Sequence, residues 1–225
     1  MSIQTIIDKA QAIEFDRRAV VAQSVSRSQR IKTAERNTGQ PLQMTVTPPG
    51  MLRYSANRGV IEAIMTTDRV TEVQVNLANN SKLNYLTSYQ GGLRLNQAQA
   101  VTISAFTLTS MTLGNLPTIG STTTNTTTFV TSSTVIFASG DYIQPAGSRY
   151  PYIVSNTVIR GTDSVVTATV HRNLITSEAT TVTGAILVGN SCTFRMIVNT
   201  LPTYKLVSND RVQFTGDFSL IEKII

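Results

Sequence analysis

The chain has 225 residues, enough for one large domain or two of ordinary size. Charged residues make up 14% and hydrophobic residues 41%, with Thr, Ser, Asn and Gln filling the difference; this argues against a helical bundle and suits strands with one face in water. The net charge is +6, carried mostly by residues 1–106, yet no basic run exceeds Arg17-Arg18, so nucleic-acid binding is not favoured as the primary role.

The lone cysteine, Cys192, excludes an intrachain disulfide and a cysteine-based zinc site, and its apolar alternation with Phe194 and Met196 suits a buried thiol. The lone histidine, His171, has no carboxylate cluster around it in sequence, so no metal or cofactor is expected. The opening MSIQTIIDKAQ lacks a signal peptide's apolar core, and no run approaches 18 apolar residues. A soluble protein made in a reducing compartment, with no membrane insertion, is therefore expected.

In chain order, Ser2 to Ala12 predicts a short helix with Ile3, Ile6, Ile7 and Ala10 on one face and Ser2 as its cap. Residues 19–36 read as one long strand, polar on both faces. Asn37-Thr38-Gly39-Gln40 predicts a turn, and residues 42–46 resume the alternation to complete a long hairpin. A strand without an apolar face cannot sit in the core of an isolated monomer, so the hairpin is expected to pair with a neighbouring subunit. A solvated loop is the plainer alternative, and a nucleic-acid contact through Arg30, Lys32 and Arg36 is the third reading.

Tyr54 to Thr67 predicts an amphipathic helix with Val60, Ile61, Ile64 and Met65 in a stripe, expected to cover a sheet face. Short strands follow at residues 70–77, 93–95 and 101–105, with Tyr85 and Tyr89 expected as edge anchors. From Thr107 to Thr134 the chain is uncharged and dense in Thr and Ser, with an exposed loop expected over 120–128. Residues 138–172 give the clearest β signal: turns at Pro145-Ala146-Gly147 and Gly161-Thr162-Asp163 separate short strands. Residues 212–222 form an apolar terminal run interrupted by Gly216, which predicts a bulge or bend. The expected fold is mainly β, with residues 1–106 and 196–225 as a split outer domain and residues 107–195 as an inserted small antiparallel β module.

The segments LQMTVTPP, RYSANRGVIEAI with Asp68-Arg69, and RVQFTGDFSLIEKI, together with the basic hairpin, resemble virion structural proteins of contractile-tailed bacteriophages. GDYIQPAGSRYPYIV and VTATVHRNL resemble a β module of the same group, and Arg69, Gly140, Asp141, His171 and Glu222 carry the pattern. The resemblance implies a tail-tube-like β-barrel or sandwich with one flanking helix and a long hairpin. It implies a homo-oligomeric ring, commonly hexameric, around a channel through which DNA passes, and a place at the tube end or baseplate beside tube and baseplate proteins. The expected location is the virion tail, assembled in the host cytoplasm. The expected interface residues are Arg27, Arg30, Ile31, Lys32, Arg36, Leu42 and Met44, with the basic ones pairing acids of the next subunit rather than lining the channel.

Two other readings stand beside it. A receptor- or carbohydrate-binding tail module in residues 107–195 would use its uncharged Thr/Ser/Asn loops with Tyr142, Tyr150 and Tyr152, and a head-to-tail connector is a weaker alternative. An enzyme is not expected: His171 with Asp163 or Glu178 is the one acid–base constellation, and His171 sits in an apolar alternation typical of structural histidines.

Overall fold

Val, Ile and Thr at alternate positions, punctuated by Gly, Pro and Asn, drive this chain into many short strands. A computed structural model describes residues 3–16, 21–25, 31–35, 41–65, 70–122, 129–175 and 182–224. With 39% strand and 15% helix it is mainly β, with a curled half-barrel sheet and few helices.

The chain enters through α1 (Ile3–Ile7) and β1 (Ala12–Asp16), followed by β2 (Val21–Val25), β3 (Ile31–Glu35) and β4 (Gln43–Thr47). Next come β5 (Leu52–Arg53), α2 (Tyr54–Met65), β6 (Val73–Val75) and α3 (Leu95–Ala100). The middle of the chain supplies β7 (Thr102–Phe106), β8 (Ser110–Gly114), β9 (Val135–Phe137), β10 (Tyr142–Pro145) and β11 (Tyr152–Ile153). It continues with β12 (Val158–Ile159), β13 (Val166–Thr169) and β14 (Gly184–Val188). The last strands are β15 (Phe194–Thr200), β16 (Tyr204–Val207), β17 (Arg211–Phe214) and β18 (Phe218–Glu222).

One antiparallel sheet, in the order β1-β4-β18-β15-β6, is drawn from both ends of the chain. Strand alternation sends Met44 and Val46, Phe194, Met196 and Val198, and Phe218 and Leu220 into a single core. Ile3, Ile6 and Ile7 of α1 enter the same core, as their helical spacing predicts, and Ala10 follows them.

A second sheet runs β11-β10-β14-β7-β8-β13 and curls until its two outer strands meet. The meeting is a bridge between Val154 and Val170, flanked by Ser155 N donating to Thr169 O at 2.8 Å and His171 N donating to Ile153 O at 3.0 Å. Its interior holds the other core, including Ile103, Leu113, Ile143, Tyr152 and Val188, with Ala98 of α3 beneath. Joining the outer strands leaves that part of the sheet without an open edge.

The two cores share a wall. All four residues of β10 are buried: Ile143 faces one core, while Tyr142 faces the other, against Phe15 (6.4 Å between ring centroids) and Phe194 (5.6 Å). Ile153 of β11 joins Tyr142 on that side.

Several expectations need correcting. Residues 19–36 are not one strand: β2 and β3 run antiparallel, from Val21 opposite Glu35 to Val25 opposite Ile31. The intervening Ser-Arg-Ser-Gln-Arg contains no Gly, Pro, Asn or Asp, and its serines are weaker turn formers, so the reversal is poorly signalled. Residues 42–46 pair with β1 and β18 rather than with that segment.

Farther along, α3 and β7 precede residue 107 yet belong with the curled sheet, because Leu93, Val101 and Ile103 fill its core. Strand β14 ends at Val188 in the curled sheet, and β15 begins at Phe194 in the other. Of the apolar stripe expected on α2, Ile61 is buried and Val60 packs half-buried against the core of the first sheet, while Ser55, Ala56, Arg58, Gly59 and Glu62 are exposed; the side chains of Ile64 and Met65 lie outside the described residues. Gly216, at φ 135°, is a passage between β17 and β18, which lie in different sheets, rather than a bulge within one strand. Residues 123–128 of the expected loop lie outside the described residues.

Candidate assembly interface

The hairpin of β2 and β3 forms a two-stranded sheet of its own, inserted in sequence between the paired strands β1 and β4. Ile31 and Lys32 lie in β3, with Val25 opposite Ile31 and Ser24 opposite Lys32. Arg27, Arg30 and Arg36 lie outside the described residues. Leu42 and Met44 are fully buried in the core of the first sheet. Of the predicted interface set, Ile31 and Lys32 therefore lie in the ribbon, while Leu42 and Met44 form a root within the core.

That root is tied to the rest of the molecule by a charge pair. Leu42 N donates to Glu222 Oε2 at 3.1 Å, and Glu222 N donates to Leu42 O at 2.8 Å. The Glu222 carboxylate in turn receives both Arg172 terminal nitrogens, with Nη2 to Oε1 at 2.8 Å and Nη1 to Oε2. Both side chains are completely buried. Arg172 Nη2 also donates to Pro151 O at 2.9 Å, and the guanidinium lies over the rings of Tyr152 (5.2 Å) and Tyr150 (5.9 Å). A desolvated pair of this kind holds only with bidentate geometry and further hydrogen bonds, and both are present.

The neighbouring residues serve the same junction. His171 Nδ1 accepts the Ile153 amide at 3.0 Å, which fixes that nitrogen as the unprotonated one. Asp163 makes a different contact, its carbonyl accepting from Arg160 Nη1 at 2.6 Å, and Glu178 lies outside the described residues. Tyr142, Tyr150 and Tyr152 are buried, which removes them as surfaces for a sugar. Cys192 is buried as well, and burial pushes its thiol well above the ordinary range.

Asp141 organises the loops at the other end of β10. Its carboxylate accepts the Gln90 and Ala138 amides, each at 2.8 Å. Burial raises its pKa, and those backbone donors oppose the rise. Tyr89 braces the same loops, its hydroxyl donating to Ile136 O and accepting from Leu93 N at 3.3 Å. Of the two tyrosines expected as anchors, Tyr89 is one and Tyr85 is exposed.

Among the described residues no group of three His, Cys, Asp or Glu side chains could hold a metal ion, and no helix is long and apolar enough to cross a membrane. The sequence marked Asp141, His171 and Glu222 but missed Arg172 as the partner of Glu222. The two lie fifty positions apart, so no local spacing links them. No protein-family model matches the chain, and no curated protein matches it in sequence.

Proposed function

We propose that this chain is a structural subunit of a contractile phage tail, assembling into a homo-oligomeric ring at the tube end or baseplate, around the channel that DNA traverses. In this reading the sheet that holds β1 and β4 is tail-tube-like, α2 is the flanking helix, and the curled sheet is a module facing adjacent tail proteins. The observation that carries it is the ribbon of β2 and β3, which pairs with no third strand among the described residues. An isolated two-stranded ribbon is marginal in water, and its open edges offer backbone donors and acceptors to a neighbour. In a cyclic ring the same ribbon docks on the same receptor edge of each next subunit, which closes the assembly without leftover edges.

The test is assembly state. Purified protein, alone and mixed with tail extract, is analysed by light scattering and negative-stain imaging, beside a variant with residues 21–35 replaced by a short Gly-Ser linker. Rings from the parent and none from the deletion support the proposal. A parent that stays monomeric at high concentration in both settings overturns it.

A further inference from the structure

A cleft of about 540 Å³ opens where the 90–92 segment faces Thr134, Thr157 and the ring of Phe129. That volume lies within the range of small-molecule sites. None of its described lining residues carries a charge. Phe129 forms an isolated bridge with Thr122 and stays half exposed (51%), while the next residue, Val130, is buried in the core. Alternation therefore anchors the backbone through Val130 and turns the Phe129 ring outward.

The walls are held in place before any ligand arrives. Gly92 N donates to Val135 O at 2.8 Å, joining one wall to the other. Asp141 fastens Gln90 to Ala138, and Tyr89 fastens the same segment to Ile136. Gly91 cannot be replaced without disturbing this brace: a Cβ there would stand 2.1 Å from the Tyr89 hydroxyl and 2.4 Å from Ile136 O. On the rim, the Gln90 carboxamide is steadied by Ser88 Oγ at 2.7 Å, and Thr157 adds an exposed hydroxyl.

An exposed aromatic ring, an uncharged lining and amide and hydroxyl groups at the rim match one ligand chemistry. The C–H face of a pyranose covers the ring, and its hydroxyls meet the polar rim. We infer that this cleft binds a neutral pyranoside, through stacking on Phe129 and hydrogen bonding to Gln90 and Thr157. The inference does not depend on ring assembly. An anionic sugar gains nothing here, because among the described residues no cation lines the cleft to offset its desolvation.

The test uses the full chain with methyl glycosides of neutral hexoses and N-acetylhexosamines, and a hexuronic acid as control, each to about 20 mM, a range suited to millimolar affinity. Saturation-transfer NMR detects binding, and amide shifts at Gln90, Gly91 and Gly92 locate it. At least one neutral glycoside is expected to bind and shift those amides. Phe129→Ala should then lose roughly tenfold in affinity, Phe129→Tyr should stay within about threefold, and Thr157→Val should weaken binding. Circular dichroism checks that each variant is folded. Absence of binding by every neutral glycoside overturns the inference. So does undiminished binding by folded Phe129→Ala, or competition by hexanol alone that matches the best sugar.

Discussion

Arg172 and Glu222 are the pair on which the joint between the two cores turns, because each removes the other's uncompensated charge from a buried site. Replacing one partner alone strands the other, so Arg172→Ala and Glu222→Ala should each cost about 3–5 kcal/mol in urea unfolding. Replacing both with Met and Leu should cost less than either single change, since no charge is then left buried. A double variant as unstable as the sum of the singles would contradict this account. Gly91 makes a different kind of demand: Gly91→Ala pushes a methyl into backbone and the Tyr89 hydroxyl, and should destabilise by about 1–3 kcal/mol in the same measurement.

At the scale of elements, α2 begins on a cap supplied from elsewhere. Asp210, in the turn between β16 and β17, accepts the Ser55 amide at 2.9 Å and the Ser55 hydroxyl, while its own carbonyl accepts from Tyr54 N at 2.9 Å. Asn209 and Asp210 both take positive φ, at 64° and 57°, and the sharp turn aims the carboxylate at the helix end. The hydrogen bonds from Ser55 hold the Asp210 pKa below its ordinary value. Because the folded value is the lower one, this stabilisation is complete above the unfolded carboxyl value of about 3.9 and is lost as pH falls through the folded one. The protection factor of the Ser55 amide, its exchange rate referred to the intrinsic rate at each pH, should therefore fall below about pH 4 in the parent and be low at every pH in Asp210→Ala. Equal exchange in the two proteins at neutral pH would rule out the cap. Gly59, within α2, is exposed and has no atom within 4 Å of an added Cβ, so Gly59→Ala should stabilise by about 0.5–1 kcal/mol in thermal or urea unfolding.

For the molecule as a whole, the shared wall sets how the chain unfolds. Tyr142 and Ile153 face one core and Ile143 and Tyr152 the other, so loss of β10 and β11 opens both. Far-UV and tyrosine near-UV circular dichroism should trace one coincident transition in urea. Two separated transitions would mean that the curled sheet unfolds as an independent unit. The same joint takes in β4, because Met44 pairs with β18 and Leu42 exchanges hydrogen bonds with Glu222, the partner of Arg172.

The mainly β character was legible from low charge and Thr-rich alternation, and the core faces of α1, β4, β15 and β18 from their periodicity, because burial on one side writes itself into local spacing. The turns near Pro145 and Gly161 were legible for the same local reason: Pro and Gly restrict or release φ where they stand. Alternation could not say that residues 19–36 fold back on themselves, because a segment polar on both faces specifies no register. Nor could it say that Arg172 meets Glu222, that Asp210 caps α2, or that Phe129 overlooks a cleft. Those contacts join residues far apart in the chain, and tertiary structure brings them together: the pairing of β5 with β17 carries Asp210 to the start of α2, and the joint between the two cores carries Glu222 to Arg172.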